Sequence, residues 1–272
     1  MFIRELNFQK KEEIQDVSVF EDISTRQCGG YVIRNFLDKD VLSKLKSIFE
    51  EYPHEYFQPY DGFDSLPRPF NFIFRTDKED WKRECDYIYQ RLNESGIYQE
   101  FHQKLQEVSG KTEFFFSSPE QTNSFSKSWS SLRRLAPEKG MFDIHCGRLF
   151  QDANKTFYNY FRNIADVDTQ MVFLIIVDKP DFVESDIDIY DAHWDEVGIK
   201  LDEETLQKND GTPLKLKDIS CRRVKLRPGD VLFFDEGHYW HAVSRFSGDR
   251  GRISFGGFVT KYKRGNTVQI WV

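Results

Sequence analysis

The sequence predicts an α+β chain, with helices gathered in the first half and a β-sandwich or jelly-roll core of short strands in the second. Three observations predict it. Apolar residues recur at helical spacing in the first 110 residues. Short apolar runs bounded by turn residues dominate the second half. The 26 phenylalanines among 272 residues supply the bulk for a dense core.

The elements follow in order. Gly30–Phe36 is a short apolar segment that reads as a strand running into a helix. In that helix Val41, Leu42, Leu45, Ile48 and Phe49 fall on one face, and Asp38 or Asp40 can cap its start. Trp81, Cys85, Ile88 and Leu92 make one stripe of a second helix, from about Lys78 to Leu92, which Ser95-Gly96 breaks. A third stripe runs through Ile97, Phe101, Leu105 and Val108 and stops at Gly110. Gln170–Val177 is apolar almost throughout, as a buried strand requires. Val224-Lys225-Leu226 leads through the turn Arg227-Pro228-Gly229-Asp230 into the strand Val231–Phe234. His241–Phe246 and Arg252–Val259 follow, separated by a Ser-Gly-Asp-Arg-Gly turn cluster. The polar stretch Leu201–Ser220 is long for a structureless connection, so it holds a small element of its own or a mobile lid. No linker interrupts the chain. Residues 1–272 therefore read as one domain, with 1–140 mainly helical and 141–272 carrying the jelly-roll core.

Composition narrows the function. Lysine and arginine number 38 against 45 acidic residues, a net charge of −7, which is not the electrostatic footprint of a nucleic-acid binder. Cys28, Cys85, Cys146 and Cys221 are widely spaced, and the opening residues lack the apolar core of a signal peptide. They read as reduced thiols in a cytoplasmic protein. The longest apolar run, Met171–Val177, falls far short of the roughly 20 residues that span a bilayer, so no membrane is expected.

There are only six histidines, so each can be weighed singly. In Tyr190-Asp191-Ala192-His193-Trp194-Asp195, His193 and Asp195 stand two apart and share one side of an extended segment. They can aim a nitrogen and an oxygen at one point; alone, they read better as a surface pair. Downstream, a hairpin turning about Ser247-Gly248 would set Val243 opposite Arg252 and His241 opposite Ser254. His241, Arg252 and Ser254 would then share a face. Two histidines and a carboxylate on one face, with three positions open, are the facial triad of non-haem iron oxygenases. A small dicarboxylate could reach from such a metal to the planar fork of Arg252.

His193-Trp194-Asp195, the Arg227–Phe234 strand, His241-Ala242-Val243 and Arg252-Ile253-Ser254 together resemble the Fe(II)/2-oxoglutarate-dependent dioxygenases of the double-stranded β-helix (jelly-roll, cupin-like) fold. With the strand before it, the motif set covers about a third of the chain, Gln170–Val259. The resemblance implies Fe(II) on His193, Asp195 and His241, and 2-oxoglutarate held by Arg252 and Ser254. It also implies O2 as oxidant, with succinate and CO2 released. In related halogenases a small residue replaces the carboxylate to leave room for chloride. Asp195 therefore implies hydroxylation, desaturation or ring formation. The expected substrate is a small polar metabolite or biosynthetic intermediate. The alternatives are a protein or peptide side-chain hydroxylase, and a non-catalytic cupin-like metal-binding module, which would need no dicarboxylate clamp.

Other residues have two readings. Tyr190 and Trp194 flank the iron motif and could line the substrate pocket. Tyr190 also matches the Y-x-x-H-x-D pattern of prolyl-hydroxylase-like members, which carry Lys where this chain has Arg252. His145 lines the pocket or is a hydrogen-bonded structural histidine. His238 is a turn or pocket-rim residue. Arg250, beside the hairpin tip, is solvated. His54 and His102 lie in or near helical regions without a visible partner.

Overall fold

A computed structural model describes residues 2–53, 57, 62–68, 78–120, 127–139, 142–153, 158–159, 162–163, 165–180, 187–263 and 265–272. His54 lies outside them.

Two sheets form the core. The larger contains β1 (Ile3–Asn7), β2 (Gly30–Arg34), β13 (Val231–Phe234), β7 (Ala165–Asp178), β15 (Arg252–Tyr262), β16 (Thr267–Trp271) and β4 (Glu113–Phe116), in that order. On it, β5 (Ser131–Leu135) pairs with β15, and β3 (Phe63–Leu66) pairs with β5. The smaller sheet has the order β12 (Cys221–Val224), β8 (Ile187–His193), β14 (Tyr239–Val243), β6 (Phe142–His145). From β5 through β15 the chain passes back and forth between the sheets, which makes the sandwich a jelly roll.

Alternation assigns the faces. On β7, Phe173, Ile175 and Val177 pack into one apolar cluster with the helices, while Val172, Leu174 and Ile176 pack into the other, between the sheets. Burial on both sides is why this strand reads as an unbroken apolar run. The same division separates Phe233 from Leu232 and Phe234 on β13.

The helical layer forms as its spacing predicts. α1 (Lys11–Ile14) and α2 (Val19–Ser24) precede α3 (Lys39–Glu50), and Asp38 caps α3 by accepting from the N–H groups of Asp40 and Val41, both at 3.0 Å. α4 (Lys78–Glu94) and α5 (Ile97–Val108) bring Ile88, Leu92, Phe101 and Leu105 to the larger sheet. Asp230, in the Pro-Gly-Asp turn, ties this layer's entrance down. It accepts from Arg34 Nη1 at 2.7 Å, from Asn35 N at 3.1 Å and from Arg227 N at 2.9 Å.

Two expectations change, and one pair of alternatives, for Leu201–Ser220, is decided. The first 140 residues also contribute β1 to β5, because the larger sheet is extended on both sides by early segments. Leu201–Ser220 folds into β10 (Thr205–Gln207) and β11 (Pro213–Lys215), sheeted with β9 (Ile199–Lys200) and followed by a 3₁₀ turn at Leu216–Asp218. It is a small element packed on the outer face of the smaller sheet. The expected β14–β15 hairpin is replaced by two strands in different sheets. Their connection crosses the sandwich instead of turning back within one sheet. Among the described residues, no helix is long and apolar enough to cross a membrane.

Phe233 is fully buried with its ring against Phe20 (centroids 5.3 Å apart) and Phe36 (6.2 Å). Phe233→Ala is expected to cost about 3–5 kcal/mol, read from the urea unfolding midpoint; a cost under 1 kcal/mol would mean that the helical layer does not depend on this contact.

Candidate active site

The site is best built from β14. His241 is buried and paired in register with His145 at the end of β6, while its neighbour on the other side is Ile189 of β8. The two imidazole centroids stand 4.1 Å apart. His241 also meets the edge of Phe234 across the sandwich, at 4.9 Å, so both rings face the space between the sheets.

Each ring is oriented by the backbone. His145 donates from Nδ1 to Asp143 O at 2.6 Å, and His241 donates from Nδ1 to Tyr239 O at 3.1 Å. Both Nε2 atoms are thereby in the tautomer that offers a lone pair. Burial lowers the pKa of both, and for His241 the neighbouring His145 lowers it further. Two neutral imidazoles with Nε2 lone pairs are a donor set that suits iron(II).

Glu236 completes this corner. Its carboxylate is buried, accepts from Gln170 Nε2, and brings Oε2 to 3.9 Å from His241 Nε2. Burial pushes its carboxyl up to about 7. Gly147, two residues after His145, starts α6 (Gly147–Ala153) directly beneath it. A Cβ at Gly147 would lie 2.5 Å from Glu236 Oε1, so a larger residue there would require the tip of the Glu236 side chain to shift.

The opposite wall comes from the larger sheet. Ser254 pairs with Ile176, an interior residue of β7, and both Ser254 and Arg252 are buried. They share the sandwich interior through parity along β15, as expected, although not through a hairpin with β14. Arg133 on β5 pairs with Ser254 and so shares this face. Its buried Nε has no hydrogen-bond partner among the described residues. Arg250 is exposed and ion-paired to Asp178.

The other predicted site residues lie elsewhere. His193 sits opposite Tyr239, with its ring centroid 4.4 Å from the tyrosine's, and is not beside His241. Asp195 is exposed and pairs with Arg26 at 3.2 Å. The reason is local: β8 ends at His193, and the N–H groups of Glu196 and Val197 fold back onto His193 O at 3.0 and 2.8 Å. The segment is a turn there, so the two-residue period that would align His193 with Asp195 no longer applies. Tyr190 and Trp194 were expected in the pocket; instead they pack on the outer face of the smaller sheet with Ala192, Trp240 and Leu206. His238 is a buried turn residue that donates from Nδ1 to Asp235 Oδ2 at 2.8 Å and accepts at Nε2 from Arg26 at 2.7 Å. Among the described residues, no three His, Cys, Asp or Glu side chains are gathered closely enough as they lie to hold a metal. Sequence reasoning passed over Gly147, Glu236 and Arg133. A search for H-x-D skips His145-Cys146-Gly147, and only the pairing of β6 with β14 marks it.

A family profile described as carrier-protein-independent halogenase WelO5 matches residues 3–272. No curated protein matches the chain. Among solved structures, a Pseudomonas putida prolyl-4-hydroxylase is similar at a TM-score of 0.44 and 13% identity, over 91% of this chain and 98% of its own. An oxidoreductase of the 2OG-Fe(II) oxygenase family from Burkholderia pseudomallei is similar at a TM-score of 0.47 and 11% identity, over 96% of each chain.

The two carboxylates around Arg26 and His238 should differ in weight. Asp195→Ala breaks an exposed pair and is expected to cost roughly 0–1 kcal/mol. Asp235→Ala leaves the buried Nδ1–H of His238 without its acceptor and is expected to cost about 1–3 kcal/mol. Chemical denaturation of both variants checks the order; equal costs would contradict it.

Proposed function

The chain belongs to the family of the carrier-protein-independent halogenase WelO5, and from that premise we propose that it oxidises a C–H bond of a free small molecule, at an iron held by His145 and His241. It is an Fe(II)/2-oxoglutarate oxygenase, and its cofactors are Fe(II), 2-oxoglutarate and O2. The observation that carries the ligand assignment is the register pairing of His145 with His241, with Nδ1 of each ring committed to a backbone carbonyl.

When bound, the iron with 2-oxoglutarate and O2 supplies the oxidant, and succinate and CO2 are the co-products. The chain's own residues do the rest. Backbone acceptors hold both imidazoles, so each Nε2 can be offered to a metal without a search through rotamers. Arg252 can grip the far carboxylate of 2-oxoglutarate with both arms of its guanidinium, and Ser254 can add a hydroxyl donor. Phe234, Leu232, Ile176 and Ile189 line the interior and exclude water from the reacting carbon.

Two outcomes are open to such a centre, hydroxylation and halogenation. Gly147 favours halogenation, because no carboxylate extends from that position. Glu236 favours hydroxylation, since its Oε1 fills the space beside Gly147, 2.5 Å from where a Cβ would lie, and would crowd a halide there. We take hydroxylation of a small polar metabolite as the better-supported reading.

Anaerobic addition of Fe(II) and 2-oxoglutarate is expected to give a weak visible charge-transfer band. His145→Ala and His241→Ala should abolish it, and Asp195→Asn should keep it. The reverse pattern would return the ligands to His193, Asp195 and His241. Arg252→Ala should raise KM for 2-oxoglutarate about 10–100-fold, the worth of a charged bidentate bond, while Arg250→Ala leaves it near wild type. Equal effects of the two would remove Arg252 from the 2-oxoglutarate site. Succinate release stimulated by peptides and by no metabolite pool would favour the protein-hydroxylase alternative.

A further inference from the structure

We propose that the substrate carries a carboxylate, and that Arg133 recognises it inside the sandwich. This rests on the reading of the interior as the oxygenase site, and it names the class of its substrate. Arg133 is the central residue of β5, with Ser254 of β15 opposite it on one side and Ser65 of β3 on the other. Directly opposed residues share a face, so its side chain enters the interior beside Ser254. The next residue of β5 on that face is Ser131, which pairs with Gly256. Three buried serines and a glycine thus surround the base of Arg133, and all are far shorter than its guanidinium reaches. Its neighbour Arg134 shows the contrast: on the other face, Arg134 Nε donates to Asp64 Oδ2 at 3.0 Å.

The inward arginine has no such closure. Arg133 is half-buried, and its Nε is buried without a hydrogen-bond partner among the described residues. Glu236 faces it electrostatically, but Glu236 Oε1 accepts from Gln170 and Oε2 stands 3.9 Å from His241 Nε2. Burial first, and the charge of Arg133 in lesser part, lower the pKa of His145, so the cation stands on the histidine side of the wall. Arg252 lies diagonally across the β5–β15 pair, opposite Leu135. Diagonal neighbours of such a pair are roughly 7–8 Å apart, so the two guanidinium groups are separate seats. Arg252 with Ser254 matches the far carboxylate of 2-oxoglutarate. The planar fork of Arg133 is then a second place for a planar oxyanion. A cation held inside without a hydrogen-bonded counter-ion is costly, and a carboxylate bound to both arms offsets that cost.

Thermal unfolding of the full chain, loaded anaerobically with Fe(II) and saturated with 2-oxoglutarate, tests this. Acetate is the probe, exchanged for chloride at constant ionic strength. The wild-type midpoint is expected to rise by about 2–4 °C as acetate replaces chloride, the effect of a ligand near ten times its dissociation constant. Arg133→Met should abolish the rise, and Arg133→Lys, which keeps the charge without the fork, should leave a smaller one. Titration of the charge-transfer band should show 2-oxoglutarate binding to Arg133→Met within about 3-fold of wild type, unlike Arg252→Ala. Weakening equal to that in Arg252→Ala would give Arg133 to the co-substrate and overturn the inference. An unchanged wild-type midpoint overturns it too, as does a fall on removing chloride, which would assign the place to a halide. A wild type that gives no charge-transfer band at all fails the oxygenase reading itself, a result distinct from each of these.

Discussion

Strand β7 is apolar on both of its faces, and that burial organises everything around it. Phe173, Ile175 and Val177 hold the helical layer, while Val172, Leu174 and Ile176 hold the second sheet. Its hydrogen-bonded neighbours are β13 on one side and β15 on the other. Arg252 and Ser254 therefore sit on a strand whose interior face is dictated by β7, and Phe234 reaches His241 because β13 is dictated by it as well. With burial worth roughly 25 cal/mol per Å2 of apolar surface, a strand with two such faces tolerates no slip of register.

Against that wall stands the smaller sheet. Its strands β6 and β14 meet with one histidine each, and its outer face is covered by the β9–β11 element. The aromatic richness serves mainly to close these layers. Phe20, Phe36, Phe101, Phe173 and Phe255 interlock on the helical side. Polar groups are concentrated in the interior near Glu236, Gln170 and Arg133. Burying polar groups is costly unless they are paired, and Glu236 is accordingly hydrogen-bonded by Gln170.

Much of the fold was legible. Asp38, the stripes through Val41 and Leu45, and the stop at Ser95-Gly96 act locally, and the helices formed where that spacing put them. The Pro-Gly-Asp turn was visible as a turn, and its Asp230 proved to tie β13 to β2. Of the sequence-predicted residues, the shared inward placement of His241, Arg252 and Ser254 was readable because each lies on a regular strand. His193 and Asp195 were not, because β8 ends between them and parity stops with it. Tyr190 and Trp194 were adjacent in sequence to a motif and yet face outward, under the small β9–β11 element.

Sequence alone determined which residues share a face, since alternation along a strand and periodicity along a helix are properties of the backbone. It determined the helical layer, the apolar spine of β7 and the inward parity of Arg252 and Ser254. Only the tertiary structure decided which strands became neighbours. His145 and His241 are brought together by β6 pairing with β14, and Glu236 reaches Gly147 through a loop clasped to α6. Such contacts join segments far apart in the chain, and they are selected by the burial of whole sheets, which no local pattern encodes.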